Sequence, residues 1–248
     1  MFQGKTVVIT GAGRGIGRAL AVGFAAQGAN IVVHYGQSRQ DAEEVMRQVV
    51  SSGGQAVLAQ ADVCVSDEVQ GLVEQARTTF GAIDVWINNA GASANSAESQ
   101  ELSEIERFER MIAVDVIGTW RCCRAAIPAM NTGSCLLTLG WDHAFDGAAG
   151  FVNQMYAVSK GAVIGMTRCL ARELAPAIRV NCIAPGWVEN AWAQSRAETF
   201  RQRVTERIPL KRWGTPADIV SAALFLASPA ASFITGQVVI VDGGEVMR

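Results

Sequence analysis

Apolar residues follow two different periods along this chain of 248 residues. Short continuous apolar runs, such as Ile31-Val32-Val33, alternate with longer stretches in which apolar residues recur every third or fourth position. Continuous runs are typical of strands buried on both faces of a parallel sheet, and the longer period is typical of amphipathic helices. Strands are predicted at residues 6–10, 30–35, 56–61, 82–88, 134–139, 178–184 and 238–241. Helices are predicted near residues 15–28, 38–52, 66–80, 103–130, 155–175, 190–206 and 216–227.

The regular alternation of strands and helices predicts the fold class. It indicates an α/β protein with a Rossmann-type, doubly wound sheet of about seven parallel strands flanked by helices. We find no internal repeat, linker or low-complexity tract, so residues 1–248 are predicted to form a single domain. In such a fold the ligand binds where the carboxyl ends of the strands meet.

Composition and charge narrow the function classes. Half of the residues are apolar, enough for one large core, and the net charge of −2 offers no basic surface for nucleic acid. No apolar run approaches the roughly 20 residues that a membrane span requires. The first predicted strand begins at residue 6, which leaves no room for a signal peptide and predicts a cytoplasmic location.

Cysteine and histidine usage points away from a metal centre. None of the six cysteines forms a C-x-x-C pair, and most lie in apolar helix or strand patterns. They are predicted to be buried, reduced thiols. The two histidines, His34 and His143, are far apart in the sequence, and no metal site is predicted.

A glycine-dense turn follows the first predicted strand. Thr10, Gly11, Gly15 and Gly17 spell T-G-x-x-x-G-x-G, whereas the stricter G-x-G-x-x-G is not met because Ile16 stands at its last glycine. Glycines permit a tight turn and a close approach of the backbone, and the helix that follows directs its N-terminus at the ligand. The unit predicts a site for the pyrophosphate of a dinucleotide.

A tyrosine and a lysine stand four residues apart near the start of a long predicted helix. At this spacing, Tyr156 and Lys160 share one face of the helix. A nearby ammonium group stabilises phenolate and lowers the pKa of the phenol, which makes Tyr156 a better proton donor near neutral pH.

Further segments of the chain accompany the glycine turn and the Tyr156–Lys160 pair. Together with Asn88-Asn89-Ala90-Gly91, Pro185-Gly186 and the segments 212–219 and 235–244, these two motifs resemble the short-chain dehydrogenase/reductase family over essentially the whole chain. The 3-oxoacyl-(acyl-carrier-protein) reductase-like branch is the most similar. The resemblance implies an NAD(P)-dependent oxidoreductase that interconverts a ketone and an alcohol, with Tyr156 and Lys160 as catalytic residues.

The resemblance also implies a cofactor site. Asp62 and Val63 would contact adenine, Pro185 and Gly186 would border the nicotinamide, and the Asn190 amide would bind its carboxamide. The full implied set is Thr10, Gly11, Gly13, Arg14, Gly15, Ile16, Gly17, Tyr35, Ser38, Asp62, Val63, Asn89, Ala90, Gly91, Tyr156, Lys160, Pro185, Gly186, Val188 and Asn190.

The end of the second strand predicts the choice of cofactor. NAD-binding folds place an acid there for the ribose 2′-hydroxyl, but this chain has Tyr35 and no acid. Arg14 in the glycine turn, helped by Ser38 or Arg39, would bind a 2′-phosphate. NADP(H) is therefore predicted over NAD(H).

Two polar partners that the resemblance leads us to expect are replaced. Asp115 stands where the family has an asparagine, and it can accept hydrogen bonds but lacks the amide donor. No Ser or Thr lies between Gly140 and Tyr156, where the family has a serine that stabilises the substrate oxygen. Counting from the strand puts Trp141 at the serine position, whereas counting back from Tyr156 puts His143 there.

Two interpretations of this loop remain open at the level of sequence. Either His143 or a protonated Asp142 supplies the missing donor, or Asp142 caps the loop and His143 faces solvent. Likewise, Trp187 and Trp192 either shape a flat substrate pocket or pack against a lid helix over residues 193–207.

The sequence thus predicts an NADPH-dependent carbonyl reductase. Its default substrate is a 3-oxoacyl thioester, carried on a carrier protein or free, and the tryptophan-rich loop also suits an aromatic or cyclic ketone. The resemblance implies a homo-oligomer, either a dimer or a tetramer, without nucleic-acid or membrane partners. The alternative is a catalytically weak NADPH-binding subunit or regulator that assembles with an active homologue.

Overall fold

The computed structural model, which describes residues 1–93 and 97–247, contains a seven-stranded parallel sheet. The strand order β3-β2-β1-β4-β5-β6-β7 is that of a doubly wound sheet and confirms the predicted fold class. The strands are β1 (Thr6–Ile9), β2 (Asn30–Tyr35), β3 (Gln55–Gln60), β4 (Ile83–Asn88), β5 (Met130–Leu139), β6 (Ile178–Pro185) and β7 (Val238–Val241).

Helices cover both faces of the sheet. The α-helices are α1 (Gly15–Ala25), α2 (Arg39–Ser51), α3 (Ser66–Phe80), α4 (Ala97–Gln100), α5 (Glu104–Met111), α6 (Thr119–Ala126), α7 (Phe151–Leu174), α8 (Ala191–Gln194), α9 (Glu198–Arg207) and α10 (Pro216–Ala227). Within the described ranges, none of them is both long and apolar enough to cross a bilayer. The cytoplasmic location stays a prediction.

Three predicted helices need correction. The one over 103–130 is interrupted by a π-helical segment at Ile112–Gly118 and ends in a 3₁₀ turn at Ile127–Ala129, because β5 already begins at Met130. The one over 190–206 is two helices, α8 and α9, separated at residues 195–197. The one predicted from residue 155 begins at Phe151, a full turn earlier.

The two faces of the sheet explain the continuous apolar runs. In β1, Val7 and Ile9 pack with α1, α2 and α10, whereas Val8 packs on the opposite face with α3, α6 and α7. Side chains of a strand alternate between faces, so a strand covered on both sides is apolar at every position. Burial of one such aliphatic side chain contributes about 1.5–3 kcal/mol.

Strand direction determines where the site lies. Because all seven strands are parallel, their carboxyl ends meet at one edge of the sheet. The strand order reverses between β1 and β4, which are hydrogen-bonded neighbours, and a crevice opens outside their carboxyl ends. The segments after β1, β2, β4, β5 and β6, which carry the predicted motifs, all begin at this edge.

Candidate active site

The glycine turn after β1 has the backbone of a phosphate site. Gly11 and Gly15 have φ angles of +64° and +55°, a region that side-chain-bearing residues rarely adopt. A Cβ atom at Gly17 would lie 2.2 Å from the Gly11 carbonyl oxygen, so only glycine fits there. Arg14, at the N-cap of α1, makes no side-chain capping bond. The first N–H groups of α1 are thus left for an anionic ligand.

Hydrogen bonds join this turn to the segment after β4. The Asn89 and Ala90 N–H groups both donate to Thr10 Oγ1 at 3.0 Å. In return, Asn89 Nδ2 donates to the carbonyl oxygens of Thr10 and Gly11 at 2.9 and 3.0 Å. Two motifs separated by nearly 80 residues therefore form one rigid corner.

His34 holds the other side of the glycine turn, a role that the sequence analysis missed. The Gly11 N–H donates to His34 Nδ1 at 2.9 Å, and so the Nε2–H donates to the Ala61 carbonyl oxygen at 2.9 Å. Burial lowers the pKa of this imidazole below its ordinary value of 6.5, so the ring is neutral. A polar residue inside an otherwise apolar strand was the available signal.

Arg14 and Ser38 meet beside the end of β2. Arg14 Nη2 donates to Ser38 Oγ at 2.6 Å, and its Nε lies 3.6 Å from an Asp41 carboxylate oxygen. Arg39, the other predicted helper, is paired instead with Glu43 at 2.8 Å. The structure thus brings together Arg14 and Ser38, whereas Arg39 is engaged with Glu43.

The predicted adenine wall follows β3. Val63 is buried and approaches Gly118 so closely that a Cβ there would lie 2.8 Å from Val63 Cγ2. Asp62 Oδ1 accepts the Cys64 N–H at 2.8 Å, which shapes the turn. Tyr35 is buried at the neighbouring strand end, and its carbonyl oxygen accepts the Ala61 N–H at 3.1 Å.

A third residue, Asp115, contacts the predicted catalytic pair on α7. Lys160 Nζ lies 2.9 Å from Asp115 Oδ2, and both side chains are largely buried, at 12% and 1% exposed. Asp115 Oδ1 accepts the Ala92 N–H at 2.7 Å. Burial alone would lower the pKa of Lys160, but the Asp115 carboxylate outweighs it and raises that pKa above its ordinary value. Lys160 therefore stays cationic next to Tyr156.

The π-helical segment places Asp115 in this position. Asp115 lies in the middle of Ile112–Gly118, between α5 and α6. A π turn inserts an extra residue and rotates the side chains that follow, and such turns often occur at functional sites. Asp115 is one of the two fully buried acids of the site, with Asp142.

The loop after β5 places Trp141 next to the predicted proton donor. The ring centroid of Trp141 lies 5.9 Å from that of Tyr156. His143 packs edge-on against Trp141 at 5.4 Å, and its Nε2 lies 3.8 Å from Glu245 Oε1. With 13% of its side chain exposed, His143 does not face solvent.

Asp142 is buried beneath the same loop. Its Oδ1 accepts the His143 N–H at 2.7 Å, as a capping residue would. Its Oδ2 is close to Gly186, where a Cβ atom would lie 2.8 Å away. Burial, opposed by His143 and reinforced by Glu245 and Asp242, raises the pKa of Asp142 to about 6. A fraction of Asp142 thus carries a proton close to neutral pH.

Glu245 near the C-terminus completes this acidic cluster and was not anticipated from the sequence. Its side chain is 5% exposed and pairs with Arg207, the last residue of α9, at 2.6 Å. A carboxylate oxygen of Asp142, a ring nitrogen of His143 and a carboxylate oxygen of Glu245 lie within 4.8 Å of one another. Glu245 has no local pattern that marks it, since it meets the loop only through the fold.

The segment after β6 lies at the same edge of the sheet as the glycine turn. A Cβ atom at Gly186 would lie 2.6 Å from the Asp242 Cβ, so a residue with a side chain would clash there. Val188 is buried. Asn190 caps α8, its Oδ1 accepting the Ala193 N–H at 2.8 Å. Because the cap uses the amide oxygen, Asn190 would meet a carboxamide through its Nδ2 donor.

The tryptophans after β6 pack with one another. Trp187 stacks on Trp192 at 6.3 Å and contacts Phe200 of α9 and Trp213 edge-on at 5.8 and 5.3 Å. The four rings form a small hydrophobic core beneath α8 and α9. The structure therefore supports the second interpretation, in which these tryptophans hold the helical segment in place.

Comparison with known proteins agrees with this geometry. The family described as Enoyl-(Acyl carrier protein) reductase matches residues 11–245. The chain is 37% identical to 3beta-hydroxysteroid dehydrogenase 1 of Eggerthella lenta, over 99% of this chain and 95% of that protein. It is 34% identical to a 3-oxoacyl-[acyl-carrier-protein] reductase of Staphylococcus epidermidis, over 98% of this chain and 99% of the relative.

A solved structure extends the comparison to the fold and the cofactor. The blue fluorescent protein from a metagenomic library, in complex with NADPH, has a TM-score of 0.89 at 32% identity, and 99% of each chain is covered. Sequence and fold lead to the same assignment. The chain belongs to the short-chain dehydrogenase/reductase family and is an NAD(P)-dependent oxidoreductase.

Proposed function

We propose that this protein is an NADPH-dependent carbonyl reductase in which Tyr156 is the proton donor. The substrate class is a 3-oxoacyl thioester, free or on a carrier protein, or an aromatic or cyclic ketone. One observation carries the proposal: a buried Lys160–Asp115 ion pair of 2.9 Å lies one helical turn from Tyr156, at the edge of the sheet that holds the glycine turn.

The residues present fit a dinucleotide. The N-terminus of α1 has no capping side chain, Gly11 and Gly15 keep the backbone open, and Arg14 stands beside Ser38 for a 2′-phosphate. When bound, the cofactor supplies the hydride. The other implied contacts, from Asp62 and Val63 at adenine to Pro185, Gly186, Val188 and Asn190 at the nicotinamide, belong to this proposal.

Residues of this chain donate the proton and stabilise the charge that its transfer leaves behind. Tyr156 donates its hydroxyl proton to the substrate oxygen. Lys160 remains an ammonium group, because Asp115 raises its pKa, and it favours the phenolate that the transfer leaves behind. Asp115 also fixes the backbone of Ala92, next to the Asn89-Ala90-Gly91 segment of the cofactor site.

The partner of the substrate oxygen is the part of the site that differs from the family pattern. Asp142 and His143, the two donors that the sequence suggested, stay candidates. Burial raises the pKa of Asp142 to about 6, but the same burial keeps its carboxyl group out of the crevice, and His143 is engaged toward Glu245.

The direct test is single-turnover oxidation of NADPH, followed at the nicotinamide absorbance, against a panel of 3-oxoacyl thioesters and aromatic or cyclic ketones. We expect at least one substrate class to be reduced, with loss of absorbance that depends on substrate concentration. Tight NADPH binding without turnover across the panel would contradict the proposal. It would favour the alternative of a catalytically weak NADPH-binding subunit or regulator of an active homologue.

Cofactor preference is tested at Arg14. Replacing Arg14 with Gln removes the cation beside Ser38, and a charge-assisted hydrogen bond of this kind is worth about 1.5–3 kcal/mol. We expect NADPH to bind about tenfold or more weakly, whereas NADH affinity stays unchanged, as measured by fluorescence titration. Arg18→Gln, on the exposed side of α1, is the matched control. Equal losses for NADPH and NADH would contradict the assignment of Arg14 to a 2′-phosphate.

Exposed apolar side chains support a homo-oligomer. Ile117 and Trp120 are exposed on the helical segment that follows Asp115, and Phe225 and Phe233 are exposed at and beyond the end of α10. Exposed aromatic side chains such as Trp120, Phe225 and Phe233 are of the kind that is enriched at protein interfaces. We propose that the protein assembles with copies of itself, as a dimer or a tetramer.

A further inference from the structure

The proposed reaction places negative charge on the substrate oxygen. A reduced nicotinamide would supply a hydride to the carbonyl carbon and would itself be oxidised, and the π-electron pair of the C=O bond would move onto oxygen. The Tyr156 O–H proton then bonds to that oxygen and leaves phenolate on the enzyme. A second hydrogen-bond donor at the same oxygen stabilises the charge as it develops, and loss of such a donor typically costs about 10²–10³ in rate.

The two polar side chains nearest in sequence turn into the protein. Asp142 is 1% exposed, its Oδ1 accepts the His143 N–H, and its Oδ2 is buried. His143 Nδ1 is likewise buried, and neither of these two buried atoms has a hydrogen-bond partner among the described residues. His143 Nε2 lies 3.8 Å from the buried Glu245 carboxylate. A substrate in the crevice does not meet these atoms without a rearrangement of the loop.

Trp141 has a donor that stays available. Its Nε1–H makes no hydrogen bond within residues 1–93 and 97–247, and it is not one of their buried polar atoms that lack a partner, so water reaches it. The indole is half-buried, and its ring centroid is 5.9 Å from that of Tyr156. An indole N–H donates and does not accept, so it stabilises an oxyanion without competing for the tyrosine proton.

The surroundings hold this indole in place. The preceding Gly140 N–H donates to the Ile183 carbonyl oxygen at 2.7 Å, which ties the loop start to β6. The Ala144 N–H donates to the Trp141 carbonyl oxygen at 3.1 Å, and the His143 ring packs edge-on against the indole. A donor that is already oriented needs no reorganisation during the reaction.

Building on the proposed function, we infer that Trp141 is a catalytic residue whose indole N–H donates to the substrate oxygen beside Tyr156. The His143 ring then supports the indole, and it is itself held near Glu245, which pairs with Arg207. The same ring presents an apolar face next to Tyr156, which favours a flat carbonyl substrate over a branched one.

The test is Trp141→Phe, which keeps an aromatic ring and removes only the indole N–H and the second ring. We expect kcat to fall about 10²-fold, with NADPH affinity and melting temperature unchanged. Trp141→His restores an N–H donor and should recover part of kcat, even if the Phe variant proves less stable. Val50→Ala, at an exposed apolar position near the end of α2, is the control and should keep full kcat.

Two results would overturn the inference. The first is a Trp141→Phe variant whose kcat stays within a few-fold of wild type, above all if Asp142→Asn or His143→Ala loses activity, since that residue would then be the donor. The second is a wild-type protein that binds NADPH and reduces no carbonyl, which would remove the proposed function as well. Activity lost in Tyr156→Phe but kept in Trp141→Phe leaves the proposed function intact and removes only the role of Trp141.

Discussion

Replacement of Tyr156 with Phe is expected to lower kcat for carbonyl reduction by about 10²–10⁴-fold, the usual range for loss of a general acid. The substitution removes one hydroxyl group and leaves the ring that contacts Trp141. The glycine turn and the Asn89–Thr10 corner are untouched, so NADPH affinity should stay within about twofold of wild type, a change of less than 1 kcal/mol. Single-turnover rates and a fluorescence titration with NADPH measure the two quantities separately.

Because turnover and NADPH affinity are measured separately, the result distinguishes a catalytic role of Tyr156 from a packing role. A variant that loses turnover and NADPH affinity together, with a lower melting temperature, would indicate a packing role for Tyr156. A variant that keeps turnover would contradict the assignment of Tyr156 as proton donor. In either case the short-chain dehydrogenase/reductase fold, which depends on residues throughout the chain, would stand.

Replacement of Asp115 with Ala is expected to destabilise the protein by about 3–5 kcal/mol, because it leaves the Lys160 ammonium group buried without its partner. Asp115→Asn should cost less, since an amide oxygen can still accept from Lys160 and from the Ala92 N–H. Both variants should also lose turnover. Denaturant unfolding and single-turnover kinetics at several pH values measure these effects.

The pH dependence has a definite sign. In the wild-type protein the pKa of Lys160 lies above its ordinary value of 10.5, so the ion pair contributes its full stability below pH 10.5 and loses it as pH rises through the higher folded value. In Asp115→Asn, burial acts without the opposing carboxylate and lowers that pKa. We therefore expect the variant to gain an alkaline loss of kcat that the wild type lacks.

A surface pair provides the matched control for Asp115. Arg124 and Glu173 are 3.0 Å apart but half-exposed, and Glu173→Gln should change stability by less than about 1 kcal/mol. If Asp115→Asn raises turnover instead, the acid hinders the native site and an asparagine suits it better. That outcome would favour the catalytically weak alternative.

Most strands and helices were predictable because their signals are local. An apolar run such as Ile31-Val32-Val33 belongs to a strand covered on both faces, and the structure places it in β2 with the predicted bounds, 30–35. The helix predicted over 103–130 was wrong in detail, because the apolar period does not reveal the π turn around Asp115. Gly118, the last residue of this segment, lies close to Val63, a contact between residues that are distant along the chain.

The amino-acid sequence was enough to predict the fold class, the glycine turn and the shared helix face of Tyr156 and Lys160. These features follow from spacing along a strand, a turn and a helix, where geometry repeats from residue to residue. It also placed both Trp141 and His143 at the same expected position without a means to choose between them.

The directions in which the side chains of the loop after β5 turn are visible only in the folded protein. Asp142 and His143 turn toward Glu245, a residue about 100 positions later, and Trp141 stays beside Tyr156. His34 reaches both Gly11 and Ala61 because β1, β2 and β3 are neighbours in the sheet. Such contacts join residues that are distant along the chain, so no local sequence pattern predicts them. Burial in the folded protein also shifts the pKa of each titratable group, which the sequence does not show.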